Sequence, residues 1–343
     1  MRKVTIKSIK RRVRGRVVAL LRESCLYYTI YPAWWRMIFT KPKGKTGVVQ
    51  YLAARPNAGA GIGHQIANWI AGYWFSRVFD LGFAHIPFSN PKWEGFLGFG
   101  NNENRLQDLI EKKGYRLVRL PLFAEFDAGQ VELIRKLIQS HEGEKVVFLC
   151  EQDQFYRDQF GVMNEIRQKF HAAQSGKTPK FYTEKAIHIA LHVRRGDIAV
   201  SQNSGNANLQ MRWQNVDYFD QVLRQLIDAI PASQPYQIHV FSQGARSEFA
   251  LFDRFPEVKF HLESDEFETF QHFAGADVLV TSKSSFSYKP ALLSRGLKIC
   301  PRNFWHGYPA EEDWFLVNDS GELEKDDLDR LNRELSRRFP VAG

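Results

Sequence analysis

Two adjacent arginines, a glycine and an aspartate follow an apolar run in IALHVRRGDI, Ile189 to Ile198. Arginine stays charged, and its planar fork matches the oxygens of a phosphate in pairs. If the chain is still extended there, Arg194 and Arg195 point to opposite sides. One of them then faces a ligand, and Asp197 holds the other. The alternative is an arginine–aspartate pair that ties a loop and binds nothing. An adhesion tripeptide, Arg195-Gly196-Asp197, fits poorly directly behind an apolar strand in a chain with no clean signal-peptide cleavage site.

A second segment, DVLVTSKSSFSYKPALLS, ends an apolar run in hydroxyls and then starts a helix. Hydroxyls and backbone N–H groups at a helix start hold anions, although Ser284 or Ser285 acting as an ordinary N-cap gives the same pattern. With the arginine turn, it makes a cradle for a diphosphate. The third segment, GAGIGHQIAN, places Gly59, Gly61 and Gly63 between a strand and a helix. It is not a dinucleotide fingerprint. Position 64 is His rather than Gly, and the following strand FAHIPF ends in Ser89 and Asn90 where an acid is needed. NAD binding is excluded on these grounds.

These segments sit in an alternation of strands and helices. TGVVQYLA, FAHIPF, YRLVRLPL and KVVFLC read as strands, separated by IANWIAGYWFSRVFDLG, LQDLIEKKG and VELIRKLIQSHEG as helices, with Gly82 as a helix stop. VMNEIRQKFHAA reads as a further helix, and SGKTPKF, 175–181, as a linker. AIHIALHV, YQIHVFS, KFHLE, DVLVTS and LKICP are strands of a second series, with helices between them. Such alternation predicts parallel sheets with right-handed crossovers, and ligands beyond the carboxyl ends of the strands. The expected organisation is a basic arm at 1–45, an α/β domain at 46–178, a second at 179–310 and a helical tail at 311–343.

The chain has 343 residues, 44% hydrophobic and 25% charged, with a net charge of +9, which is a globular composition. The charge is local. Residues 1–50 hold 13 Lys and Arg against Glu23 alone, leaving 34 bases against 37 acids elsewhere. A near-neutral body argues against nucleic acid as partner. The arm has no uninterrupted apolar run of about 20 residues, which argues against a bilayer span. Its basic residues, with Tyr27, Tyr28, Trp34 and Trp35 behind them, suit either peripheral contact with an anionic membrane or a solvated helix with an aromatic docking cluster. Cys25, Cys150 and Cys300 have no metal-site spacing and suit a reduced, cytoplasmic setting, with Cys150 and Cys300 in the core.

In this order and spacing, the three segments resemble the GDP-fucose-dependent fucosyltransferases. That superfamily includes the bacterial α-1,2 enzymes, the glycosyltransferase family 11-like branch, and α-1,6 and protein O-fucosyltransferase relatives. His192, Arg194, Arg195 and Asp197 match HxRRxD in full. GIGHQIAN resembles GxGNQ with His64 in place of Asn, and SSFSYKPALLS resembles SSFSxxxALLS. EQDQFYRDQF with EIRQKF, and PRNFW, are similar to further stretches of the bacterial branch, so the likeness spans about residues 47–310.

The resemblance implies a GT-B fold, two Rossmann-like domains facing a cleft, with the donor held mainly by the second. It also implies inverting transfer of a sugar, fucose from GDP-fucose, to a glycan such as a bacterial surface polysaccharide or its precursor. No cofactor and no metal are implied beyond the GDP-sugar as co-substrate. Asp327-Leu328-Asp329 lies in an acidic helical stretch and reads as a solvated face. Arg194 would clamp the β-phosphate, with His64 as second catalytic group facing the sugar or acceptor. Donor contacts would come from His192, Arg195, Asp197, Ser284, Ser285, Phe286, Gly61, Gly63 and Gln65. The family's guanine-reading acid falls eight residues before Asp277, where this chain has Thr269, preceded by Glu268. Acids of the first domain such as Glu94, Glu103 or Asp153 are unranked candidates for the general base, and a dissociative transfer with little help from a base also fits. The alternatives are a transferase using another nucleotide-sugar, and a non-catalytic glycan- or nucleic-acid-binding protein with a basic arm.

Overall fold

The computed structural model describes residues 47–57, 59–153, 157–183, 186–196, 198 and 211–340. The basic arm, Cys25, Asp197 and residues 154–156 of EQDQFYRDQF lie outside them. The first sheet contains β1 (Tyr51–Ala54), β2 (Gly82–His85), β3 (Asn104–Arg105), β4 (Arg116–Arg119) and β5 (Val146–Cys150). All pairs are parallel, in the order β3-β2-β1-β5-β4. The run VVFLC is buried along its whole length, as a central parallel strand covered on both faces should be. The helices here are α1 (Ile62–Val78), α2 (Lys92–Leu97), α3 (Leu106–Glu111), α4 (Ala128–Gln139) and α5 (Met163–Ala173). α4 starts at Asp127, whose carboxylate accepts from the N–H groups of Gly129 and Gln130. α1 carries apolar residues nearly all round and is correspondingly buried on most sides.

The second sheet contains β6 (Ile187–His192), β7 (Tyr236–Ser242), β8 (Val258–Leu262), β9 (Val278–Val280), β10 (Leu297–Pro301) and β11 (Trp314–Val317). It too is parallel, in the order β11-β10-β9-β6-β7-β8. Its helices are α6 (Val216–Ala229), α7 (Glu266–Gly275), α8 (Ser285–Leu293) and α9 (Lys325–Arg338), with a 3-10 segment at Arg246–Arg254. The chain is therefore α/β with two parallel sheets.

Three details differ from the sequence reading. The segment 311–343 is not wholly helical, because WFLV pairs with β10 and adds a sixth strand. The helix after β1 begins at Ile62, so the glycine segment forms its first turn. That helix ends before Gly82, with Asp80 at φ +54 making the turn and Gly82 opening β2.

Elements of both series share one apolar core, in which Trp69, Trp93 and Phe170 meet Phe270, Tyr288 and, from β11, Trp314. The Trp93 ring lies 4.1 Å from that of Phe267 and 5.4 Å from that of Phe270. Arg167 adds a polar tie, donating to the Leu292 carbonyl at 2.8 Å and forking onto Glu311 at 3.0 and 2.7 Å.

Each sheet contains one point where the strand order reverses. In the first, β1 leads outward to β2 and β3, whereas β5 returns to its other side. In the second, β6 leads to β7 and β8, and β9 returns beside β6. Loops leaving such neighbours diverge and open a crevice at the carboxyl ends. The segments that follow β1, β5, β6 and β9 hold the glycine turn, Asp153, the arginine turn and the serine cluster.

Candidate functional site

The arginine turn and the serine cluster meet at the reversal of the second sheet. Arg194 Nη1 donates to Ser284 Oγ at 3.0 Å. Ser284 is the N-cap of α8, and its hydroxyl accepts from the Phe286 N–H at 3.3 Å. A guanidinium is thus fixed at the positive end of a helix, where both favour an anion.

Arg195 turns the other way. It is buried, donates to the carbonyls of Arg194 at 2.8 Å and Gln214 at 3.1 Å, and lies 4.0 Å over the Trp213 ring. Its side chain braces the turn. Gly196 completes the turn at φ +66, and a Cβ there would meet the Gln243 side chain at 2.1 Å.

His192, at the end of β6, is buried and bonded through Nδ1 to Ser282 Oγ at 2.8 Å. Burial, and then the charges of Arg194 and Arg195, push its pKa down to about 3. The ring stays neutral, a polar wall rather than a proton carrier near neutral pH.

A cavity of about 300 Å³ opens at the ends of β6, β7 and β8, with His192, Arg194, Thr269 and Phe286 in its wall. The carboxylates that line it are Glu263 and Glu266. Glu268 is not one of them; it faces Lys180 at 3.6 Å, and its carbonyl bonds His272. On α7, Glu266 and Thr269 are three residues apart and share a face, which Glu268 does not. Burial raises the pKa of Glu266.

The glycine turn does not line this cavity but packs against the head of α8. Gly63 backs directly onto Ser285, and a Cβ at Gly63 would lie 2.9 Å from the Ser285 Cβ and 3.0 Å from its backbone. The N-termini of α1 and α8 therefore abut, one from each sheet. Ser285 turns from the cavity to His306, with Oγ 2.9 Å from Nε2. Gly61 is the N-cap of α1, and His64 is exposed in its first turn.

Gln65 does not offer its amide to a ligand. Its Nε2 donates to Ala60 O at 2.9 Å and Ser89 Oγ at 2.7 Å, while Oε1 accepts from Ser89 N at 2.9 Å. It clamps the loop after β2 instead.

Two groups at this seam escaped the sequence reading or were left unranked by it. Lys289 lies in α8 with no exposed surface, Nζ 5.0 Å from the Tyr288 ring centroid. Burial lowers its pKa to about 7 against the opposing charge of Asp153. The signal was present in YKPALL, one charge in an apolar helix. Asp153, three residues beyond β5, accepts from Asn68 Nδ2 at 2.5 Å. Burial raises its pKa, while His64 and Lys289 pull it down.

Among the described residues no cluster of three or more His, Cys, Asp or Glu is placed to hold a metal, and no helix is long and apolar enough to cross a membrane. Asp327 pairs with Arg330 at 2.7 Å on α9.

No protein-family profile matches the chain, and no curated protein matches it. Several solved structures are similar in fold. The fucosyltransferase NodZ from Bradyrhizobium is 10% identical, with 72% of this chain and 93% of that chain covered and a TM-score of 0.41. POFUT1 in complex with GDP-fucose is 12% identical, with 80% and 99% covered and a TM-score of 0.43. The E. coli heptosyltransferase WaaC, with ADP-2-deoxy-2-fluoro heptose, is 10% identical, with 85% and 98% covered and a TM-score of 0.39.

Proposed function

We propose that the chain is a glycosyltransferase of the GT-B type, with domains at 46–178 and 179–310 and β11 extending the second sheet. It transfers a sugar from a nucleoside-diphosphate donor to a glycan. The observation that carries this reading is the Arg194 guanidinium, held against Ser284 at the head of α8 in the wall of the cavity. As the bond from the sugar C1 to the diphosphate breaks, negative charge collects on the β-phosphate. A fixed guanidinium and a helix N-terminus meet that charge without reorganising, an arrangement worth about 3–4 kcal/mol in comparable sites. Arg195 braces the turn that carries Arg194, and His192, bonded to Ser282, lines the pocket beside it.

The donor we propose is GDP-fucose. Guanine presents two N–H donors on one edge, and Glu263 and Glu266 in the cavity wall suit that edge better than they suit uracil or cytosine. The matches to HxRRxD and SSFSxxxALLS favour fucose, in an inverting reaction without a metal. The glycan acceptor approaches from the first sheet, past His64. We assign the basic arm, 1–45, to peripheral contact with an anionic membrane carrying a lipid-linked acceptor.

Thermal-shift titration with GDP, UDP and CMP tests the donor class. GDP should raise the melting temperature most. A larger shift with UDP or CMP would replace the donor assignment.

A further inference from the structure

We propose, on the transferase reading above, that Asp153 is the general base that accepts the proton of the attacking hydroxyl.

The two reversal points face each other across the contact of Gly63 with Ser285. Arg194 and Ser284 occupy the side that holds the leaving group. Asp153 occupies the opposite side, beyond the end of β5 and beside β1. Asn68 on α1 donates to its Oδ1 at 2.5 Å and to the Gln152 carbonyl at 3.0 Å, which fixes the carboxylate's direction. Oδ2 has no hydrogen-bond partner among the described residues.

Glu94, Glu103, Glu151 and Glu125 are committed elsewhere. Glu94 Oε2 lies 2.8 Å from His85 Nε2, and its Oε1 accepts from Phe88 N at 2.5 Å. Glu103 pairs with Lys169 at 2.7 Å. Glu151 pairs with Arg119, and Glu125 with Gln159 at 2.5 Å.

The charged groups acting on Asp153 come from both sides of the seam, His64 from α1 and Lys289 from α8. Burial raises its pKa, and those two charges oppose the rise. The result is a carboxylate more basic than a solvated one, as proton abstraction requires. Asn68 is a positioning residue for it.

In the step, the hydroxyl oxygen bonds to the sugar C1 as the C1–O bond to the β-phosphate breaks. The electron pair of the broken bond leaves with the diphosphate, and the hydroxyl proton passes to Asp153 Oδ2. The carboxyl then returns its proton to water.

The test uses the full chain and GDP-fucose with water as acceptor, measuring GDP release with and without sodium azide. Azide attacks C1 without losing a proton, so it needs no base. Asp153→Asn should release GDP about 100-fold more slowly than wild type. It should bind GDP and melt as wild type does, and azide should restore its rate with formation of fucosyl azide. GDP release within about threefold of wild type overturns the proposal. So does a loss that azide leaves in place, or one that tracks weakened GDP binding, because either outcome marks a structural role. If wild type releases no GDP from GDP-fucose although it binds GDP, the donor reading fails, and this proposal fails with it.

Discussion

Acidification attacks this fold through imidazoles locked in the neutral state. His188, His239 and His261 form a hydrogen-bonded file across β6, β7 and β8, with nitrogens 3.1 and 3.0 Å apart. His239 bonds a ring on each side, and as a neutral imidazole it donates to one and accepts from the other. Burial holds its pKa at about 3 and that of His261 at about 4, with His192 at about 3, all against a free value of 6.5.

Between pH 6.5 and about 4, His192 and His239 take up a proton only when the chain unfolds. Their stabilisation is therefore complete above pH 6.5 and is lost as pH falls toward the folded values. From pH 6 to pH 5 the two buried rings, His192 and His239, each remove ~1.2 kcal/mol of stability. Asp153, Asp277 and Glu266, whose pKa values burial raises, act in the opposite sense and reduce the slope. A paired comparison isolates one ring. Urea unfolding of wild type and His239→Gln, followed by tryptophan fluorescence at pH 8, 6 and 5, should show wild type losing about 1 kcal/mol more between pH 6 and 5 than the variant. Equal slopes would refute the claim that His239 is held neutral.

Two shorter predictions concern the seam and the chemistry. Gly63→Val places a side chain against the Ser285 backbone and should cost about 2 kcal/mol in urea unfolding, with GDP binding weakened; a stable variant with normal binding would show that the two helix ends need not abut. GDP release from GDP-fucose should continue in EDTA at the untreated rate, and a loss restored by magnesium or manganese would contradict the metal-independent reading.

The strand–helix alternation was legible because parallel strands buried on both faces leave short apolar runs such as VVFLC and AIHIALHV between turn residues. WFLV escaped notice because it sits among the acids of 311–329, with no crossover helix before it. At the site, residue types were readable but commitments were not. Extended geometry showed that Arg194 and Arg195 must point apart, and only packing against Trp213 and Gln214 decides which one braces. Gln65 lies beside the glycine turn in sequence, yet its amide is used up by Ser89, 24 residues away. Glu268 yielded to Glu266 because the residues facing the cavity depend on the rotation of α7, which sequence spacing alone does not set.

The central claim is that Arg194 holds the diphosphate of the donor. Calorimetric titration of wild type and Arg194→Met with GDP and with guanosine separates phosphate from base. The variant should lose about 10- to 100-fold in affinity for GDP while binding guanosine as wild type does. Unchanged affinity for GDP in Arg194→Met would contradict the account.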